Sequence, residues 1–217
     1  MLAKFSANYI KNFDEFLNIN SYQFFKRLWN YFNNIFNFLI RTYHKLFLTI
    51  FSGFLRKPLR LHLGCGEKSF DNFINIDHRK TIATDYVCDI KSLPFRKNSV
   101  ETIESYHVIE HLGRHQAKEA LINWFKILKN NGKIVIECPD FDEAVKEYID
   151  GNESRIDNIF GYQRFDGDIH CFGYNFERLK NLLELVGFTN IEQKEPTDYH
   201  RFEEPCLRVE AIKIERN

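Results

Sequence analysis

From residue 59 onward, short apolar runs of strand length alternate with longer stretches of helical period. No other feature constrains the fold as much. "RLHLG", "FINID", "DYVCDI", "SVETIESYHV", "KIVIECP", "TNIEQKE" and "CLRVEAIKI" read as strands. "ALINWFKILKNNG" reads as a helix stopped by Asn-Gly. "NFERLKNLLELVGF" reads as another, with Gly187 just past its end in the C-cap position. Such an alternation packs as a doubly wound, mostly parallel α/β sheet. Ligands of these sheets bind where the strands end at their carboxyl edge.

Residues 1–58 have a different character. They hold eight Lys/Arg against two Asp/Glu, a balance of +6, which leaves −6 on residues 59–217. Half of the Phe residues fall in this first part. Phe25, Phe32, Leu39 and Leu46 recur every seven residues, as do Trp29, Phe36, Tyr43 and Ile50. The spacing predicts one long amphipathic helix over 20–55. Its aromatic stripe suits packing on the rest of the chain, self-association, or an anionic membrane surface. Arg41, His44 and Lys45 interrupt its most apolar stretch, so a membrane-spanning helix is not expected. The N-terminus lacks the apolar core and small-residue site of a cleavable signal. Two parts follow: an amphipathic segment, 1–58, and an α/β domain, 59–217.

The five cysteines, Cys65, Cys88, Cys138, Cys171 and Cys206, are odd in number, widely spaced and without a C-x-x-C. This is the usage of a reduced, cytoplasmic protein, and it opposes a zinc ribbon. With the basic segment, the expected location is cytoplasmic, peripheral at the inner face of a membrane.

The carboxyl ends carry the chemistry. Gly64 and Gly66 form G-x-G directly after the first strand, where a ligand can approach the backbone. A dinucleotide fingerprint would place a third glycine at position 69, where Ser69 stands. It would also place its acid about 20 residues on, but Asp77 comes much sooner. Nicotinamide binding is therefore disfavoured. Asp77 closes the second strand, where a carboxylate accepts from ribose hydroxyls. Asp89 closes the third, where it can accept from an adenine amine while Ile90 and Leu93 pack the ring. Glycine turn, ribose acid and adenine acid together make a nucleoside site without a pyrophosphate cradle.

In order and spacing, "LHLGCGEKSFDNFINIDHR", "VCDIKSLPF", "SVETIESYHVIEHL" and "LKNNGKIVIECPD" resemble the successive motifs of class I S-adenosylmethionine-dependent methyltransferases. The resemblance is to a small bacterial group, type 11-like, often associated with surface polysaccharides and glycosyltransferases. It covers 59–217. It implies a Rossmann-like seven-stranded sheet with an antiparallel last strand. It also implies S-adenosylmethionine as cofactor, with S-adenosylhomocysteine as product. Cofactor contacts would come from Leu63, Gly64, Cys65, Gly66, Asp77, Asp89, Ile90, Leu93, Tyr106 and His107. Only nine residues, Gly64 to Asn72, separate the first two strands, fewer than a helical crossover takes. The helix there is expected to shrink to about a turn.

"YHVIEHL" contains His107, Glu110 and His111 in the H-x-x-E-H order of some zinc proteases. Here it straddles the end of the fourth strand, so His107 and His111 cannot share a helix face, and no metal is expected. Glu110 and His111 are expected to orient the loop by hydrogen bonds. If the methyl acceptor is a hydroxyl, His107 and His170 are candidate bases. Tyr174 and His200 are candidate substrate contacts. The acidic domain opposes nucleic acid, and no N/D-P-P-Y loop of base methylation occurs. The expected substrate is a small molecule, a sugar or a lipid-linked glycan. The competing reading is a non-catalytic binding module of the same fold.

Overall fold

A computed structural model describes residues 59–215. The amphipathic helix expected over 20–55 lies outside the described residues. Seven strands run in the order β3-β2-β1-β4-β5-β7-β6. They are β1 (Leu59–Leu63), β2 (Ile74–Asp77), β3 (Tyr86–Val87), β4 (Val100–Tyr106), β5 (Leu128–Pro139), β6 (Phe188–Lys194) and β7 (Cys206–Lys213). β1, β2, β3, β4 and β5 pair in parallel, and the last strand, β7, is antiparallel to both β5 and β6. The doubly wound sheet with a reversed last strand is the expected fold.

The centre of the sheet is covered on both faces, so its strands are continuous apolar runs instead of alternating ones. Leu61, Leu63, Ile103, Ile134, Val135 and Ile136 are fully buried. Helix α1 (Arg114–Ile127) buries Ala117, Ala120, Leu121, Trp124 and Ile127, one stripe at helical spacing. α2 (Phe141–Ile149) and α3 (Arg155–Phe160) follow β5. α4 (Phe176–Val186) buries Leu179 and Leu183 and ends on Gly187 in the left-handed conformation, as expected. The sheet edges resist further pairing: β3 has two residues, and β6 exposes Glu192 and Lys194.

Four local expectations are corrected. The helix of "ALINWFKILKNNG" ends at Ile127, before Asn-Gly. Leu128 already turns extended into the sheet edge, where its carbonyl accepts from the buried Lys213 Nζ at 2.8 Å. The third strand is shorter than "DYVCDI", because Asp89 caps a 3₁₀ turn, Ile90–Ser92. The fourth stops at Tyr106, because His107 takes φ +51. Between β1 and β2 there is no helical turn of the expected kind, only bends and tight turns.

A buried side chain replaces that helix. Asn75 Oδ1 accepts from Phe70 N at 2.8 Å and lies 3.0 Å from His62 Nδ1, and Asn75 Nδ2 donates to Asp85 Oδ2 at 2.9 Å. The Phe70 ring stacks on His62 at 4.0 Å and meets Tyr106 edge-on at 5.4 Å. One amide thus clips the short loop to the sheet, and one aromatic ring supplies the cover a helix would have given.

Candidate functional site

The carboxyl ends of the parallel strands and the start of β7 meet at one edge of the sheet, since Cys206 pairs with Pro139. Gly64 leaves β1 at φ +68, and its N–H donates to Ile76 O at 2.8 Å. A Cβ there would stand 2.1 Å from Val108 Cγ2, so only glycine fits. Gly66 has φ +52 and open space where a Cβ would project. Its N–H donates to Asp77 Oδ2 at 2.9 Å, and Thr81 Oγ1 donates to its carbonyl.

Asp77 is buried at the end of β2, and its Oδ1 accepts from Arg79 N at 2.8 Å. A carboxylate offers about four lone-pair sites. Two backbone bonds fix its orientation and leave capacity for hydroxyl donors. Asp89 is more exposed: Oδ1 accepts from Lys91 N at 3.0 Å, and Lys91 Nζ lies 3.5 Å from Oδ2. Helix α1 holds the segment that follows. Trp124 Nε1 donates to Ile90 O at 2.8 Å, and Leu93 N donates to Asn123 Oδ1 at 3.0 Å.

Leu63 is fully buried and presents only main chain. The Cys65 side chain faces inward, 3.7 Å from Thr84 Oγ1, where burial pushes its thiol pKa up. Tyr106 donates to Glu104 Oε2 at 2.7 Å; burial, then this bond, raises its phenol above the usual range. At the end of β4 the Ser105 hydroxyl is buried without a hydrogen-bond partner. Open space at Gly66, spare lone pairs on Asp77 and this orphan hydroxyl fit a polar ligand carrying a ribose. In that fit Gly64, Gly66 and the turn after β4 would hold the methionine portion, Asp77 the ribose, and Asp89, Ile90 and Leu93 the adenine.

The part of this edge beside β7 is charged and partly buried. His107 Nδ1 lies 3.2 Å from Glu204 Oε1 and 3.5 Å from Glu110 Oε1, and Nε2 lies 3.8 Å from Cys206 Sγ. Burial alone would favour the neutral ring. The contacts to Cys206, Glu110 and Glu204 outweigh it and raise the pKa well above the ordinary histidine value. These contacts favour the protonated ring, which opposes the base role expected of His107. Its ring lies 3.9 Å from that of His200, whose Nδ1 is bonded to Asp198 Oδ1. Burial would raise the Asp198 pKa, but the His200 bonds hold it at about 2. Tyr199 in turn lies beneath Lys68 Nζ, 2.9 Å from its ring centre, which links this turn to the glycine loop.

The other candidates lie apart from this pair. His170 Nδ1 contacts Asn158 O at 2.8 Å, its ring is 5.0 Å from His111, and burial lowers its pKa. Tyr174 is 2% exposed and packs on Phe172, so it lies inside the edge instead of on an open face. Glu137, and the contacts of Glu204 and Cys206 with His107, were not singled out from the sequence. Glu137 is fully buried and accepts from Thr197 N at 3.0 Å, Asp198 N at 2.8 Å and Arg208 Nη1 at 3.1 Å, which ties the 197–198 turn to β5. The closely spaced acids and histidine of "DYHRFEEP" mark the stretch from the sequence, but not its meeting with His107. A surface depression beside Lys97, Phe125, Phe188 and Glu215 lies at the opposite edge of the sheet and touches none of these groups.

Residues 67–136 match the family model described as a methyltransferase domain. No curated protein matches the chain. Among solved structures, an S-adenosylmethionine-dependent methyltransferase from Methanosarcina mazei is 13% identical, with TM-score 0.52, covering 77% of this chain and 98% of its own. The Burkholderia thailandensis 1,6-didemethyltoxoflavin-N1-methyltransferase, solved with its substrate and S-adenosylhomocysteine, is 12% identical with TM-score 0.52. That match covers 79% of this chain and 76% of that one. At such identity these structures establish the fold. Residues 67–136 are thus similar to a methyltransferase domain, and the chain has the fold of these S-adenosylmethionine-dependent methyltransferases.

Proposed function

We propose that the protein methylates a hydroxyl of a sugar or lipid-linked glycan in surface-polysaccharide assembly, on the cytoplasmic side of a membrane. The observation that carries this reading is the Asp198–His200 pair beside His107 at the carboxyl edge. A carboxylate on Nδ1 fixes the ring's tautomer and leaves the Nε2 lone pair as its proton acceptor.

S-adenosylmethionine supplies a methyl already activated on sulfonium sulfur. The chain has to align a hydroxyl with that methyl and exclude water, and orientation is worth roughly 7–11 kcal/mol. His200 takes the hydroxyl proton as the oxygen–carbon bond forms and the carbon–sulfur bond breaks, a contribution of about 10²–10⁴ in rate. Asp198 keeps the ring in place, and the His107 cation offsets the charge of Glu110 and Glu204.

Two features support a carbohydrate. Exposed Tyr162, Phe165, Tyr199 and Phe202 stand among Lys68, Arg79, Arg164 and Arg201, which suits a sugar ring bearing phosphate. The basic, aromatic segment 1–58 suits a membrane surface on which lipid-linked acceptors lie, or self-association there. The test is methyl-label transfer from S-adenosylmethionine to a panel of nucleotide sugars, glycans and lipid-linked glycans, beside small acids and proteins. Label in a carbohydrate, reduced about 10²–10⁴-fold in kcat by His200→Gln with KM little changed, is the expected result. Label confined to carboxylates or protein would refute the acceptor class.

A further inference from the structure

Glu110 has both carboxylate oxygens buried without a hydrogen-bond partner, and the residue is 2% exposed. A buried carboxylate whose oxygens accept no hydrogen bond is costly, even with an opposite charge nearby. The His107 ring is 3.5 Å away but is not aligned to donate. On Glu110, His111 and His170, one metal-ligating atom each falls within 4.8 Å of the other two.

The two rings are prepared alike. His111 Nδ1 is 2.9 Å from Ile169 O, and His170 Nδ1 is 2.8 Å from Asn158 O. A carbonyl only accepts, so each Nδ1 carries the proton and each Nε2 keeps its lone pair. This is the outer-shell arrangement that fixes metal-binding histidines. The frame is also rigid. Cys171 N and Phe172 N both donate to Glu110 O, at 2.7 and 3.2 Å, so the loop before α4 is fastened to the turn after β4.

We propose that Glu110, His111 and His170 bind a divalent first-row transition-metal ion, with zinc as the representative case. Two imidazoles and a carboxylate are a set that zinc and its neighbours accept, with a further position left for water or a ligand oxygen. The ion supplies the partner that the Glu110 oxygens lack and clamps the 161–172 loop to the turn 109–111. The H-x-x-E-H stretch then supplies its last two members, and His107 stays in the neighbouring cluster with His200 and Glu204. The inference does not depend on the methyl acceptor.

The test is zinc binding by the full chain after chelator treatment, measured by elemental analysis and competition titration. Glu110→Gln, His111→Ala, His170→Ala, His200→Ala and Cys206→Ser are compared, each checked for native circular dichroism. His111 is half-buried in a surface turn, so its variant keeps the test usable if Glu110→Gln does not fold. The expected result is one zinc per wild-type chain, affinity at least about tenfold weaker in the first three variants, and unchanged affinity in the last two. No binding by folded wild-type protein would overturn the proposal. So would loss in His200→Ala or Cys206→Ser with retention in His111→Ala and His170→Ala, which would put the ion on the His107 side.

Discussion

Replacing Gly64 by alanine separates the two tasks of the glycine turn. Gly64 lies at φ +68, where an L side chain costs about 1–2 kcal/mol. The new Cβ would also stand 2.1 Å from Val108 Cγ2. Val108 is buried and branched at Cβ, so its χ1 is stiff and the methyl cannot swing aside freely. Overpacking of this kind costs about 1–3 kcal/mol. Together the change removes roughly 2–5 kcal/mol, and at about 2–4 °C per kcal/mol for a domain of this size Tm falls by about 4–20 °C. Gly66→Ala is the contrast. Its φ of +52 carries the same backbone cost, but its Cβ meets no atom within 4 Å. It should lose only about 1–2 kcal/mol of stability while its methyl stands in the space assigned to the cofactor. Thermal unfolding with and without S-adenosylhomocysteine reads both quantities. Gly64→Ala should melt lower than Gly66→Ala, and Gly66→Ala should lose the larger share of ligand-induced stabilisation. Equal melting of Gly64→Ala and wild type would refute the packing argument. Full ligand stabilisation of Gly66→Ala would refute the placement of the ligand.

Three further outcomes follow from the same geometry. Glu137→Gln strips the charge from a fully buried carboxylate paired with Arg208 and should destabilise by about 3–5 kcal/mol, read from denaturant unfolding. Trp124→Phe removes the Nε1 bond to Ile90 O and should cost about 1 kcal/mol of stability. Its loss of cofactor affinity should exceed that of an exposed α1 substitution such as Lys118→Ala in the same titration. Asp142→Asn breaks an exposed pair with Arg178, so it should change stability by less than about 1 kcal/mol and only at low salt.

The sequence made the architecture legible because its punctuation falls where the chain turns. Gly64, Asp77 and Asp89 follow or end β1, β2 and β3, and Gly187 caps α4. What stayed hidden was non-local. The helix missing between β1 and β2 is replaced by Asn75, an amide inside "INID" whose partners lie on three other segments. The end of α1 is set by Leu128 entering the sheet, not by the Asn-Gly that follows. The charged cluster at the carboxyl edge joins His107 to Glu204 and Cys206, residues nearly 100 positions away, and no local period predicts that meeting. Nor does residue type alone show that the His107 pKa is raised: besides Glu110 three residues on, the cause is Cys206 and Glu204, brought in from the far end of the chain.

Brought together, the three strand ends would form one S-adenosylmethionine site oriented by Asp77. Calorimetric titration of the full chain with S-adenosylhomocysteine, beside Asp77→Ala, tests it most directly. Removing a buried charged acceptor of this kind costs about 1.5–3 kcal/mol, or roughly 10–150-fold in affinity. The expected result is binding at one site per chain, weakened by that factor in a variant that still folds. Absence of binding by folded, ligand-free protein, or equal affinity in Asp77→Ala, would contradict it.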